Sequence, residues 1–570
     1  MVGLLAGVGA LGFRWLVYSV KAISFDWLPA QTASLGMAYV VIAPAVGGLL
    51  VGLLVYFFAR EAKGHGVPEV MEAVALRGGK IRPVVAVVKS LASALSIGTG
   101  GSVGREGPIV QIGSTIGSTV GQVLGLSGNR IRNLVACGAA GGIAATFNAP
   151  IAGVIFALEV ILADFGITSF GSVVIASVAA SVVGRAAFGD VPAFVVPEYA
   201  LNSSWELPMY VVLGCVAAAV AVLYTRTLYW SEDTIARVRF IPQWAMPAVG
   251  GGVLGLFALG YGMIPGLEWE KVPHVFSVGY ETIEDGLLGR EALGVMLALV
   301  FLKIIATSIT LGSGGSGGVF APSLFIGSML GGAFGLAMHE LFPGLPGPAG
   351  AYALVGMGAV FAGISHASMT AVIMIFEITG DYKIILPLML AVVTSSLVSR
   401  KWMNHENIYT LKLSRRGVRL RSGRDVDVLE RVRVEEVMSE SPTVPSDTRI
   451  RALPDFFIRA NRNALPVVDG DGRLVGIISL TDVRRAENRP DLDRLTVDEI
   501  MAKELVTAYL DETLDAVLTR MGPRDLSRLP VVDRDDETRL LGVIRRNDLV
   551  RAYTLGVARR RLESGGDSAV

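Results

Sequence analysis

The sequence predicts an all-α polytopic membrane domain, built from two repeats with broken helices and followed by a small soluble α/β pair. Hydrophobic residues make up 52% of the 570 residues and charged residues only 18%, with a mean hydropathy of +0.56, too apolar for a soluble chain of this size. Long apolar runs such as 36–59 and 207–225 fill the chain before about residue 400, whereas Arg, Asp and Glu crowd it from Arg415 onward. Two parts with different solvents follow. Gly and Pro cut the apolar stretches at 98–108, 148–150, 312–322 and 343–350. Peptide groups freed by such breaks cannot face lipid, so they must line a pathway enclosed by protein.

The first apolar run, 2–20, with Arg14 inside it and Lys21 at its end, has no small-residue cleavage site and reads as a retained first membrane helix. Cys137 and Cys215 both lie in apolar segments and are expected to be packed helix residues. Net charge is zero and no basic stretch carries interleaved aromatics, which sets nucleic acid aside as a partner.

The breaks come in pairs. Gly104-Arg105-Glu106-Gly107-Pro108 has a counterpart in Gly318-Val319-Phe320-Ala321-Pro322, and the segment from Ala149 to Glu159 resembles that from Ala367 to Glu377. Both offsets are about 215 residues, the mark of two structural repeats, parallel or inverted. After Tyr409 a basic stretch, 412–424, favours the cytoplasmic side for what comes next. The soluble part repeats too. Val437-Met438, Leu465-Pro466-Val467-Val468-Asp469 and the segment 476–482 recur as Ile500-Met501, Leu529-Pro530-Val531-Val532-Asp533 and 542–548. These three landmarks resemble tandem cystathionine-β-synthase (CBS) modules, which implies a βαββα build and a cleft that can take an adenine nucleotide (ATP, ADP or AMP).

The glycine-rich run 96–108 lacks the Gly-Lys-Ser/Thr ending of a phosphate loop and stands among apolar helices. Inside a membrane it instead offers unpaired backbone N–H groups and a positive helix end to an anion. The run 312–322 offers a matching set from the other repeat. Two such helix ends hold a small anion without a full positive charge, so that it can also leave; close helix packing is the other use of such glycines.

Gly64-His65-Gly66-Val67-Pro68, Gly104-Arg105-Glu106-Gly107-Pro108, Gly318-Val319-Phe320-Ala321-Pro322 and Tyr409 within Ile408-Tyr409-Thr410 resemble, in order, the signature segments of CLC chloride channels and transporters. The resemblance implies a homodimer with one pathway per subunit, each subunit made of two inverted halves. It also implies chloride held at His65, Gly107, Val319, Phe320 and Tyr409. Glu106 matches the family's gating and proton-transfer glutamate, whose carboxylate competes with the anion and swings away when protonated. A carboxylate inside a membrane is costly enough to be a functional candidate on physical grounds alone. Adjacent helix residues point different ways, which weakens an ion pair with Arg105.

Two positions depart from the best-known members. His65 stands where the chloride-selecting segment usually carries Ser, placing an imidazole that titrates near pH ~6.5 beside the inner pathway; a histidine bonded to backbone at a helix start is the alternative. Val160 stands where many exchangers have an inner proton-transfer glutamate, and an aliphatic side chain relays no proton. Either protons enter by water, His65 or another carboxylate such as Glu159, or the protein conducts passively. Glu159 and Glu377 occupy duplicated positions, which favours a role in holding the repeats or the dimer together. Pro108 is intact, which favours chloride over fluoride. In the CBS pair Ser479 and Asp482 fit the family's ribose-contacting pattern; Arg545 replaces the hydroxyl residue in the second module while Asp548 is kept. A CBS pair that only braces a dimer is the alternative.

A zinc protease needs His-Glu-x-x-His, and both His339-Glu340 and His405-Glu406 lack the second histidine, so no enzyme and no metal site are expected. A magnesium transporter asks for several carboxylates within the membrane, and those are too few. The expected divisions are a transport domain at 1–412, with repeats at about 1–205 and 206–412, a linker at 413–430, CBS modules at 431–490 and 491–556, and a flexible tail at 557–570. The expected location is a multi-pass position in a prokaryotic inner membrane, with the CBS pair cytoplasmic.

Overall fold

The computed structural model describes residues 1–31, 37–189, 203–238, 241–269, 272–343, 346–380, 382–415, 432–460, 462–486, 494–521, 526–549 and 551–552. Most of the expected linker and all of the expected tail lie outside these residues. The chain divides into two compact units, Met1–Leu420 and Arg421–Val570.

The first unit is helical. Its elements are α1 (Val2–Ala22), α2 (Tyr39–Phe57), α3 (Val67–Leu76), α4 (Val84–Gly98), α5 (Glu106–Val123), α6 (Gly128–Phe147), α7 (Pro150–Phe156) and α8 (Ile167–Phe188). There follow α9 (Leu207–Ala236), α10 (Met246–Tyr261), α11 (Tyr280–Leu287), α12 (Leu293–Gly312), α13 (Phe320–Leu341), α14 (Ala349–Ser365), α15 (Ser368–Thr379), α16 (Ile385–Trp402) and α17 (Thr410–Arg415). Among the described residues seven helices are long and apolar enough to cross a membrane, the first running from Val2 to Ala30 through a π-helical turn at Ile23–Trp27.

The second eight helices repeat the first eight in order. In the first repeat α5 packs on α6, and α6 on α1 and α8; in the second α13 packs on α14, and α14 on α9 and α16. Between repeats, α2 packs on its own counterpart α10, and α7 on its counterpart α15. Elements that meet their own copies mark a pseudo-twofold axis, as in an isologous interface. The helix ends are duplicated as well: Asn148 and His366, at φ 55° and 56°, close α6 and α14 in the left-handed region. Cys137 is buried as expected, whereas Cys215 is exposed on α9. A small apolar side chain on an outward face costs nothing in lipid, so burial is not required there.

The second unit holds two three-stranded sheets of the same build. In the first, β1 (Val444–Pro445) runs parallel to β2 (Ala464–Val468), which is antiparallel to β3 (Leu474–Ser479); α18 (Leu453–Ala460) and α19 (Leu480–Ala486) complete it. In the second, β4 (Ala508–Tyr509), β5 (Arg528–Val532) and β6 (Leu540–Arg545) repeat the topology around α20 (Leu514–Met521). The ladder irregularity recurs too, at Val467/Val468 and Val531/Val532. The packing boundaries differ from the sequential ones. Val434 is buried in the core of the second module, and Leu495, Val497 and Met501 in that of the first. Ser439 bridges to Val543, and Ala502 to Ile477. Each module borrows the lead segment of the other, because two or three short strands alone bury too little apolar surface to hold a core.

Candidate functional site

The breaks at 98–108 and 312–322 meet the glycine turn before Val67 at one place. The Gly64 N–H donates to the Gly315 carbonyl (3.1 Å), and the Gly317 N–H to the Gly64 carbonyl (3.3 Å). Gly104 and Gly318 exchange both of their bonds, at 2.8 and 2.6 Å. Peptide groups freed in one repeat are thus satisfied by those freed in the other, which answers the requirement that no lipid-facing backbone be left unpaired. α5 and α13 both begin here, so two sets of orphan N–H groups and two positive helix ends face the same region.

A cavity opens at this junction, lined by Val67, Glu106, Gly107, Val110, Ile143, Phe147, Phe156, Phe320, Met374 and Tyr409. Glu106 is the acidic residue in it and is only 3% exposed. One carboxylate oxygen, Oε1, accepts from the Tyr280 hydroxyl at 3.1 Å; the other, Oε2, accepts from the Ala321 N–H at 3.2 Å in the first turn of α13. A carboxylate of the first repeat therefore sits on the helix start of the second, where an anion would sit. A Cβ on Gly104 would lie 2.1 Å from Oε2, so any other residue there would push the carboxylate off this seat. The Arg105 guanidinium turns to aromatic faces, 4.9 Å from the Tyr280 ring centroid and 5.7 Å from that of Phe147.

Of the residues that the family resemblance assigns to chloride, Gly107, Phe320 and Tyr409 line this cavity with Glu106. Val319 is the N-cap of α13, one residue behind the lining. His65 is 1% exposed, its ring centroid 6.1 Å from that of Tyr409 and its carbonyl against Gly107. Tyr409 is held by its own loop. The Asn407 side-chain oxygen accepts from the Tyr409 and Thr410 N–H groups, both at 2.9 Å, and the Tyr229 hydroxyl donates to the Ile408 carbonyl at 2.5 Å. Behind it, Lys412 pairs with Glu69 at 3.0 Å, both side chains nearly buried.

Two buried lysines lie outside every motif singled out in the sequence. Lys89 on α4 donates to the carbonyls of Ala62 (3.1 Å) and Gly64 (2.7 Å); Lys303 on α12 donates to those of Val275 (3.0 Å) and Ser277 (3.1 Å). Both are fully buried. They are separated by the same spacing as Gly104 and Gly318, and that was the available signal. Each lysine clamps the turn that opens a short helix, α3 or α11, and a buried ammonium needs such acceptors.

Glu159 and Glu377 lie away from the cavity and cap each other's repeat. Glu377 accepts from the Ile151 and Ala152 N–H groups at the start of α7, at 2.9 and 2.6 Å. Glu159 accepts from the Met369 and Thr370 N–H groups at the start of α15, at 3.2 and 2.8 Å, and from the Thr370 hydroxyl at 2.6 Å. In the soluble unit the Ser479 N–H and hydroxyl both donate to Asp482, at 2.9 and 2.6 Å, as a helix-start cap; the Arg545 N–H donates to Asp548 at 3.0 Å in the same place. The Arg545 guanidinium also bonds Ser439. Arg528 donates to the Ala464 carbonyl at 2.5 Å; burial first, then the neighbouring Arg545 and Arg462 charges, lower its pKa.

The family model described as voltage gated chloride channel matches residues 47–400, and the CBS domain model matches 434–489 and 497–555. The chain belongs to the CLC family. Chloride channel protein CLC-f of Arabidopsis thaliana is 30% identical over 98% of this chain and 80% of its own length. The H(+)/Cl(-) exchange transporter ClcA of Vibrio parahaemolyticus is 31% identical over 73% of this chain and 88% of its own. Among solved structures, a slow cyanobacterial Cl-/H+ antiporter superposes with a TM-score of 0.65 at 26% identity, covering 73% of this chain and 96% of its own. This CLC protein is accordingly a multi-pass membrane protein of two inverted repeats carrying a C-terminal CBS pair.

Proposed function

We propose that the protein moves chloride across a membrane in exchange for protons, with Glu106 as gate and proton carrier. The observation that carries this reading is the Glu106 carboxylate seated on the Ala321 N–H at the start of α13. A chloride ion and an ionised carboxylate are alternative occupants of that helix end, and protonation removes the charge that holds the carboxylate there. ClcA, by its name an exchanger of the same two ions, supports the exchange reading. Val160 favours passive conduction as the second reading. Chloride efflux from proteoliposomes at clamped potential, with external pH recorded, separates them: uphill proton movement means exchange, and chloride flux without protons means a channel. Radiotracer uptake of magnesium but not chloride would overturn both, and no enzymatic step is assigned to the chain.

In this reading Gly107, Val319, Phe320 and Tyr409 surround the ion, and His65 makes its inner side pH-sensitive. His65→Ser is expected to flatten the response of chloride flux to internal pH; an unchanged profile and anion preference would sink the role. The resemblance supports a homodimer with one pathway per subunit, and the basic residues after Tyr409 support a cytoplasmic CBS pair.

We propose one adenine nucleotide at the CBS pair, with Ser479, Asp482 and Asp548 toward ribose and Arg528 and Arg545 toward phosphate. Ser479 and Asp482 already cap α19, so ribose would have to share them. ATP titrated calorimetrically into the whole protein in detergent is expected to bind one per chain and to weaken by about tenfold on Arg528→Ala. No heat with ATP, ADP or AMP would leave the pair as a brace.

A further inference from the structure

We propose that Tyr280 is a latch on Glu106, a positioning residue whose hydroxyl holds the carboxylate in the anion site; this rests on Glu106 acting as the gate. The pseudo-twofold relation leads to it. The turn clamped by Lys303 is the twin of the one clamped by Lys89: Val275 and Ser277 stand for Ala62 and Gly64, and Gly279, at φ 82°, stands for Gly66, at φ 84°. In each repeat the next residue opens a short helix and reaches the site. In the first that residue is Val67, which lines the cavity. In the second it is Tyr280, whose hydroxyl lies 3.1 Å from Glu106 Oε1.

The phenol is set for this contact from three directions. Gly279 takes a backbone conformation that a side chain would strain, and a Cβ there would also meet the Phe325 ring at 2.8 Å. Lys303 fixes the carbonyls just before it, and the Arg105 guanidinium lies over the phenol ring. With the Ala321 N–H on Oε2 and the Tyr280 hydroxyl on Oε1, each carboxylate oxygen has a donor, one from backbone and one from a side chain that substitution can remove. The ionisable groups around Glu106 are Arg105 beside it, Tyr280 on α11 and Tyr409 across the cavity; from α13 the contact is a backbone amide. Losing the hydroxyl removes a donor that favours the seated, ionised carboxylate.

Tyr280→Phe keeps the ring under Arg105 and deletes only the hydroxyl. In proteoliposomes it is expected to raise chloride flux at neutral pH about tenfold, the scale of one hydrogen bond to an ionised group, and to move acid activation of flux toward neutrality. In a Glu106→Ala background the same substitution is expected to change neither flux nor pH profile. The carboxylate stretch of Glu106, isolated by infrared difference against Glu106→Gln, is expected to shift in frequency on Tyr280→Phe, and this readout does not depend on which ion is carried. An unshifted band overturns the latch, as does an equal flux change with and without Glu106. Absence of chloride flux in the unaltered protein, with the band shift present, counts against the chloride reading and leaves the latch standing.

Discussion

Glu106→Gln is expected to keep chloride flux and to lose uphill proton movement by two orders of magnitude or more, about the scale on which a positioned proton-transfer group acts. Two contacts hold the carboxylate, the Tyr280 hydroxyl and the Ala321 N–H. An amide is close in shape: its one oxygen can keep the Ala321 N–H bond while its NH2 donates to the Tyr280 hydroxyl, which can also accept, so packing survives. It carries no charge, so it loses the attraction to the start of α13, ~1 kcal/mol, and competes with chloride about fivefold less well. Flux should then lose the part of its pH dependence that the Glu106 carboxylate supplies. The measurement is chloride efflux with simultaneous pH recording on both proteins. If protons still ran uphill in the variant, the carrier would have to be sought at His65 or Glu159, and the seat of Glu106 on α13 would be a structural contact. If the unaltered protein moved no protons and the variant only lost its pH dependence, Glu106 would be the gate of a channel, as Val160 allows.

What could be read in the residues, and what could not, follows from the range of the interactions. Glycine runs, Pro108, Pro322 and the charged Glu106 within apolar sequence are local signals, and they located the junction and three of its lining residues. The duplication was legible for the same reason. Tyr280 was not, because its contact with Glu106 joins segments 174 residues apart and nothing in its own neighbourhood marks a functional hydroxyl. Lys89 and Lys303 sit in helices that otherwise read as plain apolar spans; only their common spacing betrays them, and only once the repeat offset is applied to single charges rather than to motifs. The exchange of lead segments between CBS modules was hidden similarly. The sequence repeats as one module after another, but Val434 and Val497 are buried in the core of the module they do not precede in the sequential division.

The reciprocal caps of Glu159 and Glu377 carry the other large expectation, one of stability rather than transport. Each carboxylate closes the start of a helix in the opposite repeat with two amide bonds, and α7 and α15, the helices so closed, pack on each other at the pseudo-twofold axis. Glu159→Ala or Glu377→Ala removes a cap and leaves its N–H groups without acceptors, at a cost of ~2 kcal/mol each. Because the two caps brace one helix pair, the second loss should cost less than the first, with a coupling of ~0.5 kcal/mol or more. Thermal unfolding in detergent of the two single variants and the double variant measures this, and full additivity would mean that the caps act independently. Glu159→Gln separates bracing from proton relay: it keeps one acceptor oxygen and loses the titrating group. A brace predicts a lower melting temperature with an unaltered ratio of protons to chloride. A fall in that ratio with unchanged stability would instead make Glu159 the inner proton relay that Val160 cannot be.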